Sequence, residues 1–127
     1  MVAECVAVTT QSQGGVLPRL VQDTLACAGV SWDAVDGLAV SIGPGSFTGL
    51  RIGLSLAKGI AYAGGIGIAP ISTLEALSWA AAASPGELVW ATLDARMKEV
   101  YAASFVCTRD GIVRRTPDEA LAPERLA

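Results

Sequence analysis

The sequence contains no histidine. Histidine is the side chain that trades a proton near neutral pH, so its absence removes the usual general base for a serine or cysteine nucleophile. It also removes histidine-held metal sites. Charge is sparse, at 17% of residues, and lysine and arginine form no run or stripe. A domain that gripped nucleic acid by itself would carry one, because phosphate neutralisation supplies much of that affinity. The formal net charge is -3, and the acidic excess gathers early, where Glu4, Asp23, Asp33 and Asp36 stand against Arg19 alone. Cysteine is scarce too. Cys5, Cys27 and Cys107 are far apart and form no CxxC pair, which fits a reducing compartment better than a disulfide scaffold. All three are read as small, buried apolar residues. No basic region precedes an apolar stretch at the start, so no secretory signal is visible. The longest weakly charged run, from Ile52 to Leu74, is interrupted by Lys58, several glycines and Pro70, which argues against a membrane span. The expectation is a cytoplasmic chain.

What is present is apolar and folded in character. Hydrophobic residues make up 52% of 127 positions, enough for one domain with a real core. Val2 to Thr9 alternates and is rich in valine, the pattern of a strand. Gln11 to Gly15 reads as a turn. Leu17 to Ala28 reads as a helix, with Leu17, Leu20, Val21, Leu25 and Ala28 on one face. Pro18 is expected in its first turn and Gly29 just past its end. Ser31 to Asp36 is a short turn, and Gly37 to Ile42 a short buried strand. A helix is expected from about Thr48 to Ala63, then a strand from Ile66 to Ile71. Ser72 and Glu75 have capping-box spacing, and the helix they begin is expected to reach Ala83. After the turn Ser84 to Glu87 come strands Leu88 to Leu93 and Glu99 to Val106, joined by a solvated ion-pair turn of Asp94, Arg96, Lys98 and Glu99. Asp110-Gly111 marks a further turn, and the tail beyond Arg115 is polar and weakly patterned. Alternating strands and helices followed by a hairpin predict a layered α/β fold.

The stretch from Gly43 to Gly65 carries the most information. Its loop, Gly43, Pro44, Gly45, Ser46, Phe47 and Thr48, leads into a helix poor in charge. Gly43, Gly45 and Gly49 miss the dinucleotide fingerprint by one residue, and Leu50 and Arg51 stand where a phosphate loop needs lysine and serine or threonine. Backbone N–H groups at the helix start, with Arg51 nearby, remain an alternative phosphate or nucleotide site. The plainer reading is a tight strand-to-helix turn in which glycine permits close backbone approach. Along the helix Gly49, Gly53, Ala57 and Ala61 recur every four residues as a smooth stripe, beside an apolar row of Ile52, Leu56 and Ile60. A helix so apolar is expected to be covered on most sides. Its own sheet supplies one cover; the rest comes from helix Leu17–Ala28, a partner chain, or both. Ser55 and Lys58 make an SxxK match without its companion motifs, and nothing obvious activates Ser46.

These residues resemble a known family. "GPGSFTGLRIG" (Gly43 to Gly53), "AKGIA" (Ala57 to Ala61), "ISTLEALS" (Ile71 to Ser78) and "LDARMKEVYAA" (Leu93 to Ala103) occur in the order found in the bacterial TsaB, or YeaZ, family. The pattern from Val16 to Val40 is similar to that family's first helix. The resemblance implies the ribonuclease-H-like half of an actin/hexokinase/Hsp70-type fold, lacking the first β-hairpin. Residues 1–106 would be a partial N-terminal domain and 107–127 a tail that begins a second lobe, the sequence being cut at both ends of the family pattern. A missing first strand would leave sheet edges unpaired unless another segment or chain fills the gap. "QSQGG" departs from the family where a histidine is common. The resemblance implies a non-catalytic scaffold in threonylcarbamoyladenosine modification of tRNA, with no cofactor of its own. It would pair with a TsaD-type subunit through two helices from each chain, be joined by a TsaE-type ATPase, and meet tRNA only through the complex. Leu17, Leu20, Val21, Gly49, Arg51, Gly53, Ala57 and Ala61 are the expected partner-binding residues, and the same face would support a homodimer when no partner is present.

Overall fold

The structure, a computed structural model, describes residues 2–8, 13–81 and 83–126. The chain forms two compact units, one from Met1–Ser41 with Phe47–Pro70, the other from Ile42–Ser46 with Ile71–Ala127.

The first unit holds helix α1 (Gln13–Ala28), a 3-10 turn (Trp32–Ala34), most of strand β1 (Gly37–Gly43), helix α2 (Phe47–Gly64) and most of strand β2 (Gly67–Ser72), with β1 and β2 paired. Both helices stop for the same reason. Gly29 (φ 66°) and Gly65 (φ 63°) adopt the left-handed conformation that side chains resist, and Val30 N–H and Ile66 N–H then donate back to the carbonyls of Leu25 and Ala61 at 3.0 and 3.1 Å, closing Schellman caps. Helix α1 begins earlier than its apolar periodicity indicates. Residues 13–15 are helical rather than turn, so Pro18 lies inside the helix, where its ring nitrogen has no proton to offer the Gly14 carbonyl. Residues 2–8 form no strand despite their alternating pattern, because alternation becomes a strand only beside a partner ladder. Position 9 and the turn positions 11 and 12 lie outside the described residues.

The second unit is a helix on a sheet. Strands β3 (Leu88–Arg96), β4 (Glu99–Thr108), β5 (Gly111–Arg114) and β6 (Glu119–Leu121) form an antiparallel sheet in which β4 is central. β3 pairs along one side of β4, from Leu88 opposite Val106 to Arg96 opposite Glu99. β5 and β6 share the other side in succession, and between them Arg115 and Thr116 N–H both donate to the Ser104 carbonyl. The tail is therefore sheet edge, which its polar sequence does not announce. Helix α3 (Thr73–Trp79) lays Leu74 on this sheet against Ala91, Ala103 and Phe105. Leu74 and Phe105 are fully buried, and each such side chain stabilises the fold by about 1.5–3 kcal/mol.

The Ser72 cap forms as expected: its Oγ accepts from Glu75 N–H at 3.3 Å. The helix nevertheless ends at Trp79 instead of running on through the alanines to Ala83. Ala80 and Ala81 N–H donate to Leu77 and Ser78 carbonyls, a tightened last turn that ends the helix despite alanine's high helical propensity. At Ser84–Glu87, Gly86 takes φ 96° after Pro85, the requirement of a type II turn. The ion-pair turn at the β3–β4 tip does not form. Asp94 Oδ1 instead accepts Arg96 N–H at 2.7 Å, and Arg96, Met97 and Lys98 all have positive φ, as a tight primed hairpin demands. The cysteine expectation also fails: Cys5 and Cys27 are exposed, while Cys107 is half-buried and its thiol points to the Ala83 carbonyl. Among the described residues no helix is long and apolar enough to cross a membrane.

Candidate functional site

The apolar patterns of α1 and α2 meet in the first unit. A cavity of about 490 Å³ lies there, lined by Val16, Leu17 and Leu20 of α1, Gly49 and Ile52 of α2, and Ala7 and Val8 of the preceding segment. Three of the expected partner-binding residues, Leu17, Leu20 and Gly49, are thus brought together. On the other side of Ile52 a second cleft of about 440 Å³ is lined by Gly14, Pro18, Arg51, Ser55 and Leu56. Ile52 sits between the two, and its Cδ1 lies 4.0 Å from where a Cβ on Gly14 would be.

The remaining expected residues divide. Ala57 and Ala61 are 8% and 9% exposed, so the chain itself already covers this end of the stripe. Gly53 is half-buried, and a Cβ built there meets nothing within 4 Å. The stripe therefore changes character between Gly53 and Ala57: open at Gly53, filled at Ala57 and Ala61. Val21 is half-buried on α1 and lines neither cleft. Arg51 is exposed at the rim, its guanidinium 3.9 Å from the centre of the Phe47 ring one turn earlier, a cation–π contact that holds both side chains along the helix start. Phe47 keeps 67% of its surface in water.

In the loop, glycine is required at Gly43, which is buried with φ 109°. It is not required for close approach at Gly45, where a Cβ would meet open space. Pro44 is half-buried, and Ser46, Phe47 and Thr48 are exposed.

The α1–α2 groove is chemically plain. Among the described residues its inner lining is entirely apolar, with Arg51 and Ser55 confined to the second cleft. Among the described residues no group of three histidine, cysteine, aspartate or glutamate side chains could hold a metal. Such a surface binds by exclusion of water and by shape.

Sequence patterns pass over two features. One is Ile52, legible only as part of an apolar row. The other lies in the second unit, where Arg114 of β5 forms ion pairs with Asp118 at 2.5 Å and Glu75 at 3.4 Å and lies 4.8 Å over the Phe105 ring. Ser72 Oγ donates to the second Asp118 oxygen at 2.8 Å while accepting the cap bond from Glu75. Burial alone would lower the Arg114 pKa, but hydrogen bonds and charge attraction from Asp118 and Glu75 outweigh it and raise it above its ordinary value. Both Asp118 oxygens are engaged, and the Ser72–Asp118 contact fastens the tail to the start of α3. A four-residue spacing in a weakly patterned tail is the only signal of it in the sequence.

Comparison with known proteins matches this frame. The family model for TsaD, tRNA N6-adenosine threonylcarbamoyltransferase, matches residues 7–127. The chain is 42% identical over 92 residues to the tRNA threonylcarbamoyladenosine biosynthesis protein TsaB of Haemophilus influenzae, covering 72% of this chain and 39% of that protein. It is 40% identical over 111 residues to the TsaB of Escherichia coli, covering 86% and 48%. The chain thus spans about half or less of the curated relatives it matches. The solved structure of YeaZ from Pseudomonas aeruginosa superposes with a TM-score of 0.84 at 35% identity, over 95% of this chain and 57% of that one. The mixed α/β architecture is accordingly of the actin/hexokinase/Hsp70 type. With the glycine loop, the smooth helix and the Asp-Ala-Arg hairpin all in place, the chain belongs to the TsaB (YeaZ) branch of the TsaD-type family.

Proposed function

We propose that this chain serves as a non-catalytic scaffold in threonylcarbamoyladenosine modification of tRNA, pairing with a TsaD-type transferase subunit through α1 and α2. The observation that carries this is the groove around Ile52, where Leu17, Leu20 and Gly49 frame a cavity whose described lining residues are all apolar. A homologous pair of helices fills such a groove with matching apolar ridges. The names of the relatives support the pathway, and a sequence without histidine supports the scaffold role. In this reading a TsaE-type ATPase joins the pair, tRNA is held by the complex in the cytoplasm, and the same groove closes a homodimer when the transferase is absent.

The test is size-exclusion chromatography with light scattering, on the chain alone and mixed with the TsaD-type protein of the same source. A one-to-one complex is expected. A folded chain that ignores the transferase overturns the pairing and returns attention to the Gly43–Gly49 loop as a phosphate site. Titration calorimetry with ATP then decides that second reading.

A further inference from the structure

A separate cavity, of about 520 Å³, lies between the 3-10 turn and the C-terminal end of α2. Ile60 and Ile66 form apolar walls, Trp32 and Asp33 stand at one side, and Ala63 and Gly64 bring the helix end to the other. Three independent features here attract positive charge. The Asp33 carboxylate has no hydrogen-bond or ion-pair partner among the described residues. The last turn of α2 carries no basic residue, so no side-chain charge offsets the negative end of the helix dipole. Trp32 is 45% exposed, and indole presents the strongest π face for a cation. No lysine or arginine among the described residues lines the cavity.

We propose that this cavity seats an arginine side chain of a partner protein, its guanidinium on Asp33 and the Trp32 ring, its methylene stem against Ile60 and Ile66. Arginine fits better than lysine because the planar guanidinium can stack on an indole and bond a carboxylate at the same time. The cavity is lined by different residues from the α1–α2 groove, so its occupant need not be the subunit proposed there.

The probe is acetyl-arginine-amide, with acetyl-citrulline-amide as the neutral isostere, titrated into the whole chain labelled with ¹⁵N. Saturable shifts are expected at the Trp32 indole N–H, assigned from a Trp32→Phe variant, and at the Ala63 and Gly64 amides, in the millimolar range. Asp33→Asn should weaken binding about threefold, the scale of an exposed ion pair, and added salt should weaken it further. Ala63→Arg, which places a guanidinium in the cavity from within, should abolish the probe's shifts. No shift at these three sites, equal shifts with citrulline, or unchanged affinity in Asp33→Asn would each overturn the proposal.

Discussion

The sharpest test of the docking surface compares two positions one helical turn apart. Gly53 and Ala57 look equivalent in sequence, as successive members of one smooth stripe. Gly53→Ala places a methyl where nothing lies within 4 Å and removes a glycine from a helix interior, a gain of about 1 kcal/mol. Gly53→Leu reaches further into the same open space and should leave the isolated chain no less stable than the parent. Ala57 is 8% exposed. Ala57→Leu forces three more carbons into filled space and should cost about 1–3 kcal/mol. The two leucine variants should therefore differ by about 1–4 kcal/mol in urea denaturation followed by far-UV circular dichroism. In the light-scattering assay Gly53→Leu should lose the transferase subunit while keeping a parental unfolding midpoint. Equal destabilisation by the two leucines would refute the claim that the stripe is open at Gly53. Normal pairing by Gly53→Leu would place the docking surface elsewhere.

Two further predictions concern the second unit. A Cβ on Gly111, at φ 138°, would lie 2.5 Å from Trp79 Cη2, so Gly111→Ala should destabilise by about 1–3 kcal/mol through backbone strain and displacement of the ring; in a Trp79→Ala background only the backbone part should survive, and an identical penalty in both backgrounds would refute the ring contact. Arg114→Ala should cost about 1–2 kcal/mol, a value already lowered because the side chain is 31% exposed, and Arg114→Lys should recover only part of it by losing the fork and the stacking on Phe105. Because the folded-state pKa of Arg114 is raised, its contribution should hold throughout the neutral range and fade only as pH rises through arginine's own titration in strong base. Thermal unfolding of parent and variant between pH 6 and about 9 should show a constant difference so far as arginine is concerned.

Much of this protein is legible in its amino-acid order. Helix α2, strands β1 and β2, the Ser72 cap, the Pro85–Gly86 turn and the β3–β4 hairpin depend on periodicity, caps and turn residues, all of which act over a few positions. The family is legible for the same reason, since its motifs are short and ordered. Tertiary structure alone decided the rest. It left residues 2–8 without a ladder although they alternate like a strand. It stopped α3 at Trp79 within an alanine tract. It drew the weakly patterned tail into the sheet edge through Arg114, Asp118 and Ser72. Above all, it made Gly53 open and Ala57 buried, although a stripe repeating every four residues treats them alike. Spacing along a helix states which residues share a face; whether that face is covered depends on chain segments distant in sequence, and on where they come to lie.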